Sequence, residues 1–169
     1  MNKNRLNVWN KSYFSNWRAV RSNVSTFFRN IKYSYQRIKY GYCERDLWDL
    51  RDFYLMLFYN SLDDFKKDLY GAPVEFFDEN KENATEDWEN YISEMAQHFY
   101  NADEFNEARV NEYDDIATPL FKFDEENTPE EKEVINKWLA REKELYEWRH
   151  NELMKGFSML VEHFEELWD

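Results

Sequence analysis

Residues 128–153, "TPEEKEVINKWLAREKELYEWRHNEL", contain the strongest helix-start signal in the chain. Thr128 stands where a helix N-cap belongs, Pro129 takes the first helical position, and Glu131 completes a capping box. Apolar residues then recur every three or four positions as far as Trp168. The pattern predicts one C-terminal helix of about 40 residues, roughly 60 Å long at about 1.5 Å per residue.

Such a helix is long for a compact domain, because a chain of this size has a radius of gyration of about 15 Å. We therefore expect it to kink near Gly156, to project from the body, or to pack against a second subunit. Its apolar stripe would be exposed to solvent unless another surface buries it. Residues 129–168 are thus expected to form part of a homo-oligomer interface.

The N-terminal segment predicts an amphipathic helix that ends at Gly41, where a left-handed C-cap belongs. Its apolar residues are Tyr13, Phe14, Trp17, Val20, Val24, Phe27, Phe28, Ile31, Tyr35 and Ile38. Its polar face carries Arg18, Arg21, Arg29, Lys32, Arg37 and Lys39. Whether this helix packs on its own acidic body or on a partner is left open by the sequence.

Two more helices are predicted between these ends. The first covers residues 46–69 and is closed by Gly71 and Pro73. The second begins at Thr85, whose hydroxyl can cap free backbone amides. Residues 103–127 lack a sustained period, so they are expected to form a connection with at most a short helical turn.

Composition agrees with an all-α helical bundle of about four main helices with a long C-terminal helix. Three glycines and three prolines among 169 residues leave little material for a turn-rich β fold. We expect a single helical domain over residues 1–169, made of a basic N-terminal helix (1–43), acidic central helices and a connection (44–127), and the long C-terminal helix (128–169). No apolar run is long enough to cross a bilayer. The one cysteine, Cys43, fits a reducing cytosol and is expected to be a buried thiol.

The net charge of −13 is unevenly distributed. Residues 1–43 carry nine Lys/Arg and no acid, whereas residues 44–169 hold all 35 acids. Such asymmetry often marks a partner surface. The alternative is that the basic arm packs against its own acidic body. Direct nucleic-acid binding is not expected of so acidic a chain.

The joint "YGYCERDLWDL", residues 40–50, is the main candidate site. Asp46 is expected to start the second helix, and Trp48 to anchor it in the core. Free amides at a helix start beside arginine and lysine side chains can bind an anion such as a nucleotide phosphate, with a tyrosine ring stacked on the base. The candidate ligand-binding residues are Arg37, Lys39, Tyr40, Tyr42 and Arg45. In the alternative, Arg45 forms an ion pair with Asp46 or Asp49.

A second candidate pair is Trp148 and Arg149, because an arginine beside aromatic rings can stack on a planar anion. Packing or surface pairing is the alternative for both. Glu94 and His98 lie four apart, a spacing that a metal could use, but one Glu and one His are too few ligands. We find no catalytic motif and predict no catalytic residue, no metal and no cofactor.

Four stretches together resemble a family of small proteins of tailed bacteriophages and prophages. They are "YQRIKYGYCERDLWDL", "ATEDWENYISEMA", "REKELYEWRHNEL" and the terminal "FEELWD". The family has a basic first helix, a Gly-Tyr/Phe-x-x-x-Asp-x-Trp joint, a threonine-capped helix with an early Trp, and a Leu-Trp-Asp terminus. The resemblance implies a protein acting in the host bacterial cytoplasm.

These observations lead us to expect a phage-encoded, non-catalytic binding protein that counteracts host defence. It would sequester an anionic nucleotide second messenger or block a host defence protein. The alternatives are a structural component of the virion or its assembly, and an acidic DNA mimic that inhibits a nucleic-acid-binding host protein.

Overall fold

The computed structural model describes residues 17–77, 83–121 and 127–167, with the side chains of residues 17–24 left aside. Five α-helices follow in order: α1 (Trp17–Tyr40), α2 (Leu50–Phe65), α3 (Ala84–Ala102), α4 (Asp114–Ala117) and α5 (Pro129–Glu162). Single 3-10 turns lie at Lys66–Asp68, Val74–Phe76, Glu104–Asn106, Thr118–Leu120 and Phe164–Glu166. These three ranges contain no strand, which confirms the all-α prediction.

The chain divides into two compact units, Met1–Ser61 and Leu62–Asp169. The boundary falls inside α2, away from the predicted divisions after residues 43 and 127. That the whole chain forms a single domain stays a prediction.

In the first unit, α2 starts at Leu50, four residues later than predicted, because the preceding residues form turns. The prediction that Trp48 anchors a helix in the core is therefore wrong: the residue lies in the turn and is 93 % exposed. The buried residues of α2 in this unit are Asp52, Phe53, Leu55, Met56, Tyr59 and Asn60.

The second unit begins its main packing with α3. The N-cap residue is Asn83, not Thr85, and its side-chain amide donates to Glu86 Oε2 at 2.6 Å. The N-cap of α3 therefore lies two residues earlier than predicted. The buried face of α3 comprises Ala84, Trp88, Ile92, Met95, Ala96, Phe99 and Ala102.

The capping box of α5 is confirmed. The Thr128 hydroxyl accepts a hydrogen bond from the Glu131 backbone N–H at 3.3 Å, and Glu131 Oε2 accepts from the Thr128 N–H at 2.8 Å. The helix ends at Glu162, short of the predicted residue 168. Trp168, like Tyr13 and Phe14, lies outside the described residues.

The core of the second unit is the contact between α3 and α5. α5 runs without a break through Gly156, where a kink was one expectation. A Cβ atom at Gly156 would come within 3.1 Å of the ring of Phe99, which is fully buried. The glycine therefore allows the two helices to approach closely. The described part of the connection between them contains α4 and the turns Glu104–Asn106 and Thr118–Leu120, more helical structure than the single short turn that was expected.

Candidate functional site

The joint between α1 and α2 begins with a left-handed residue. Gly41 has φ 81°, and its N–H donates to the Arg37 carbonyl at 2.9 Å, which confirms the predicted C-cap. The chain then turns back, and the Asp46 N–H donates to the Cys43 carbonyl at 2.9 Å. Cys43 is buried and free, as expected for a small core thiol.

The reversal brings the buried Asp46 carboxylate against Arg37, nine residues earlier. Arg37 Nε donates to Asp46 Oδ2 at 3.0 Å, and Arg37 Nη2 donates to Oδ1. The Cys43 N–H also donates to Oδ2, at 2.8 Å. Burial alone would raise the pKa of Asp46, but these hydrogen bonds outweigh it and hold the pKa below its ordinary value. Asp46 thus ties the joint to the end of α1.

A second, exposed cross-link lies one turn earlier on α1. Glu44 Oε1 accepts from Gln36 Nε2 at 3.1 Å and lies 2.7 Å from Lys32 Nζ. The Glu44 N–H donates back to Gln36 Oε1 at 3.2 Å. Because this cluster is exposed, it contributes less than the Arg37–Asp46 pair. Together the two cross-links fix the direction in which α1 leaves the joint.

The remaining candidate residues of the joint lie on its surface. Lys39 Nζ is 4.9 Å from the centre of the Tyr40 ring, and the rings of Tyr40 and Tyr42 are 6.4 Å apart. Arg45 is exposed. Its expected partner Asp46 is bound to Arg37 instead, and Asp49 accepts from the Asp52 N–H at 3.4 Å. The guanidinium of Arg37 is therefore already paired with a carboxylate.

The apolar face of α1 is largely exposed. Four of its side chains lie at helical spacing on the solvent side, Phe28, Ile31, Tyr35 and Ile38, which we call the α1 stripe. Their exposed fractions run from 45 % for Ile31 to 86 % for Ile38. The sequence left open what this face packs against. The earlier members, Trp17, Val20 and Val24, are outside the part whose side chains are described.

On the covered side of α1, polar side chains make the contacts. Asn30 is 4 % exposed, and Arg37 reaches the buried Asp46 from the same side of α1. Sequence reasoning missed this arrangement because it assigned Arg37 to the solvent face by its charge. The available signal was Asp46, an acid placed close enough beyond Gly41 to meet the last turn of α1.

Trp148 and Arg149 lie on α5, in the second unit. The guanidinium of Arg109 stacks over the Trp148 ring at 4.3 Å from its centre. The half-buried ring therefore already has a cation on one face. Both Trp148 and Arg149 are partly buried. The contact of Trp148 with Arg109 fits the packing alternative.

A buried polar cluster that the sequence did not reveal joins α3 to α5. Glu152 is 6 % exposed, and its Oε2 lies 2.9 Å from His98 Nδ1 and accepts from Asn101 Nδ2 at 2.8 Å. Its Oε1 accepts from Lys155 Nζ at 2.9 Å. Burial alone would raise the pKa of Glu152, but the three donors outweigh it and lower the pKa to about 2. A permanently ionised, fully coordinated carboxylate is suited to fastening two helices, not to proton transfer at neutral pH.

The spacing of Glu94 and His98 could suit a metal, but the described residues do not complete a metal site there. His98 Nε2 lies 3.7 Å from Glu94 Oε1, while the other ring nitrogen is taken by Glu152. Within residues 17–77, 83–121 and 127–167, no group of three or more His, Cys, Asp or Glu side chains is placed to hold a metal ion. Over the same ranges, no helix has the length and apolar character needed to cross a bilayer.

A cavity of about 260 Å³ lies beside the segment that follows α2. It is lined by Leu69, Tyr70, Gly71, Ala72, Pro73, Trp88 and Glu166. The ring of the lining residue Trp88 packs edge-on against the buried His163 ring, with the ring centres 5.5 Å apart. The volume is below the roughly 300–1,000 Å³ typical of small-molecule sites, so the α1 stripe is the stronger candidate.

Comparison with known proteins adds no relative: no family profile, curated protein or solved structure matches the chain.

Proposed function

We propose that the protein is a non-catalytic binding protein that acts by occupying a partner protein through the α1 stripe. On the resemblance to proteins of tailed bacteriophages, the partner is a host protein, and blocking it counteracts host defence. The proposal rests on one observation: an amphipathic helix turns its aromatic and aliphatic face to solvent and is held by its polar side.

The exposure of the α1 stripe is large for side chains of this kind. Phe28 is 65 % exposed, Tyr35 59 % and Ile38 86 %. Scattered apolar residues on a surface are ordinary, but a continuous row along one helix marks an interaction site. The row also continues into the joint, where Tyr40 and Tyr42 are exposed by about half.

The charge of α1 indicates the chemistry of the partner. Its 24 residues contain six Lys/Arg and no Asp or Glu. At 100° per residue, Lys39 falls beside the α1 stripe, on the same flank as Lys32, which is already paired with Glu44. A helix of this kind fits an apolar groove with an acidic rim, in which the stripe fills the groove and Lys39 meets the rim.

The joint makes the surface ready for binding. The Arg37–Asp46 pair and the Glu44 cluster fix the last turns of α1 before any partner arrives. A helix already ordered in its bound form loses less conformational entropy on binding than a flexible segment would. Occupancy of a protein groove is the function that best uses these features.

Nucleotide sequestration at the joint has less support. Lys39 and Arg45 stay exposed beside Tyr40 and Tyr42, but the Arg37 guanidinium is bound to Asp46. An incoming phosphate would have to compete with that buried carboxylate. Two exposed cations and a ring give too little for micromolar affinity, about −8 kcal/mol.

The proposal is tested with matched serine variants. Tyr35→Ser and Ile38→Ser shorten the α1 stripe, while Tyr70→Ser and Val74→Ser shorten side chains of the same types that are 93 % and 85 % exposed elsewhere. The tagged proteins are expressed in bacterial cells, and co-purified proteins are quantified by mass spectrometry. We expect one acidic protein to be retained by the wild type and both controls, and lost from both stripe variants.

The retained protein is then purified and its affinity measured directly. Each stripe variant should weaken binding by at least about 30-fold, the effect of an interface hot spot, and binding should weaken as salt is raised. Equal retention by all five proteins would contradict the proposal. So would calorimetry showing tight nucleotide binding that Arg45→Ala abolishes, which would favour the nucleotide alternative.

A further inference from the structure

α5 carries an apolar face that packs against α3 and a second apolar arc that is mostly exposed. Within this second arc, Phe157 is 37 % exposed, and its ring packs edge-on against Phe99 of α3 with the ring centres 5.2 Å apart. Leu145, Gly156 and Leu160 are buried on the first face. On the second, four large side chains stay in solvent: Leu139, Tyr146, Met154 and Val161, which we call the α5 stripe. Their exposed fractions are 51 %, 65 %, 55 % and 77 %. At 100° per residue, the four fall within an arc of about 80°.

The α5 stripe is arranged symmetrically along the helix. Leu139 and Val161 lie eleven residues on either side of His150, and Tyr146 and Met154 lie four residues on either side. An antiparallel copy of the same helix, related by a two-fold axis at His150, therefore places Leu139 opposite Val161 and Tyr146 opposite Met154. Such a self-complementary surface is what a two-fold dimer needs.

The available area suits a dimer of moderate strength. A fully exposed side chain of this size presents about 150–200 Å², so the stripe offers roughly 450 Å² of apolar surface per copy. Lys143 and His150 lie within the same arc, and their side chains extend the contact towards about 600 Å² per partner, the lower end for specific interfaces. The stripe runs about 33 Å along the helix at about 1.5 Å per residue.

We infer that the α5 stripe is a homodimer interface in which two α5 helices pack antiparallel about His150. The occupant of this face is a second copy of the chain. The inference is independent of the α1 stripe, which lies on another helix and is proposed to bind a different protein.

Cysteine cross-linking tests the geometry. The native Cys43 is buried, so single cysteines introduced on α5 report on the interface. Two residues at the axis come within the roughly 4 Å between Cβ atoms that a disulfide requires. His150→Cys should therefore form a covalent dimer under mild oxidation.

Two control positions distinguish the competing arrangements. Lys143 lies on the same face but seven residues from the axis, so in an antiparallel pair the two copies are about 20 Å apart at about 1.5 Å per residue. Asn151 is exposed but points away from the stripe. We expect Lys143→Cys and Asn151→Cys to stay monomeric on denaturing gels. Cross-linking at both 143 and 150 would indicate a parallel pair and overturn the inference.

Sedimentation equilibrium gives a second, non-covalent readout. Wild-type protein should show twice the 21.0 kDa chain mass at about 100 μM, where a dimer of micromolar Kd is populated. Tyr146→Glu should shift it to 21.0 kDa with unchanged circular dichroism, since it puts an unpaired charge in each half of the interface. Val74→Glu, at a residue 85 % exposed, should remain dimeric. A wild-type monomer, or a dimer that survives Tyr146→Glu, would overturn the inference.

Discussion

α1 and α5 are both long amphipathic helices, of 24 and 34 residues, yet they are held in opposite ways. α5 packs an apolar face against α3 and fastens it with one buried carboxylate, Glu152. α1 is tied at its end by the buried Asp46, and its apolar stripe faces solvent. Helical periodicity shows that a face is apolar, but it does not show what covers that face.

The two helices are attached differently because different residues lie at their points of contact. A carboxylate close beyond a left-handed turn can reach back to the last turn of α1, and Asp46 does so by accepting two hydrogen bonds from Arg37. α5 has no such turn in its middle. At Gly156 it approaches α3 closely, which allows apolar packing between the two helices. Substitutions at Glu152 and at Asp46 distinguish these two modes of attachment.

The largest effect is expected on the α5 side. Glu152→Ala removes the acceptor of three donors and leaves buried polar groups of α3 without it, so we expect a loss of about 3 kcal/mol in the free energy of unfolding. Urea unfolding at neutral pH, followed by circular dichroism, measures it. Glu147→Ala, at an exposed glutamate on the same helix, is the control and should change stability by less than about 0.5 kcal/mol. Equal effects would show that the cluster does not fasten the helices.

Acid should weaken the same attachment. The pKa of Glu152 is lowered to about 2 from an ordinary 4.5, so its contribution is fully present above pH 4.5 and is lost as pH falls towards 2. Between neutral pH and about pH 3, the wild type should lose about 2 kcal/mol more than Glu152→Gln, at 1.36 kcal/mol per pH unit. Urea unfolding of both proteins across this range is the measurement. Parallel curves would contradict the assignment.

A smaller effect is expected at the joint. Asp46→Asn keeps the size of the side chain but removes the charge that binds Arg37, which should cost about 2 kcal/mol. Glu44→Gln, in the exposed cluster, should cost less than about 1 kcal/mol. Amide hydrogen exchange resolved to residues 32–40 should accelerate in Asp46→Asn and hardly change in Glu44→Gln. Identical exchange in the two variants would mean that Asp46 does not hold α1.

Two local signals in the sequence were reliable. The capping box at Thr128 and the left-handed cap at Gly41 both involve residues within four positions of each other, and both are present. The start of α2 was wrong because Asp46 was taken as a helix start, although its carboxylate binds backward to Arg37.

Contacts between distant residues could not be predicted in the same way. His98 and Glu152 are 54 residues apart, and no local pattern pairs them. One signal was available: Glu152 lies seven residues after Leu145, so it falls on the same buried face of α5. An acid at such a position needs partners from the neighbouring helix. For the joint, Arg45 was preferred to Arg37 because it is adjacent to Asp46, but the turn after Gly41 brings Arg37 closer.

The central claim, that α1 presents its apolar stripe to solvent, is tested most directly by hydroxyl-radical footprinting with mass spectrometry. Tyr35 is 59 % exposed and Tyr59 is fully buried, so the two tyrosines provide an internal comparison within one chain. We expect Tyr35 to be oxidised at least about tenfold faster than Tyr59, and to become protected when the partner protein is added. Protection of Tyr35 equal to that of Tyr59 in the protein alone would show that the α1 stripe is already covered, and would contradict the account.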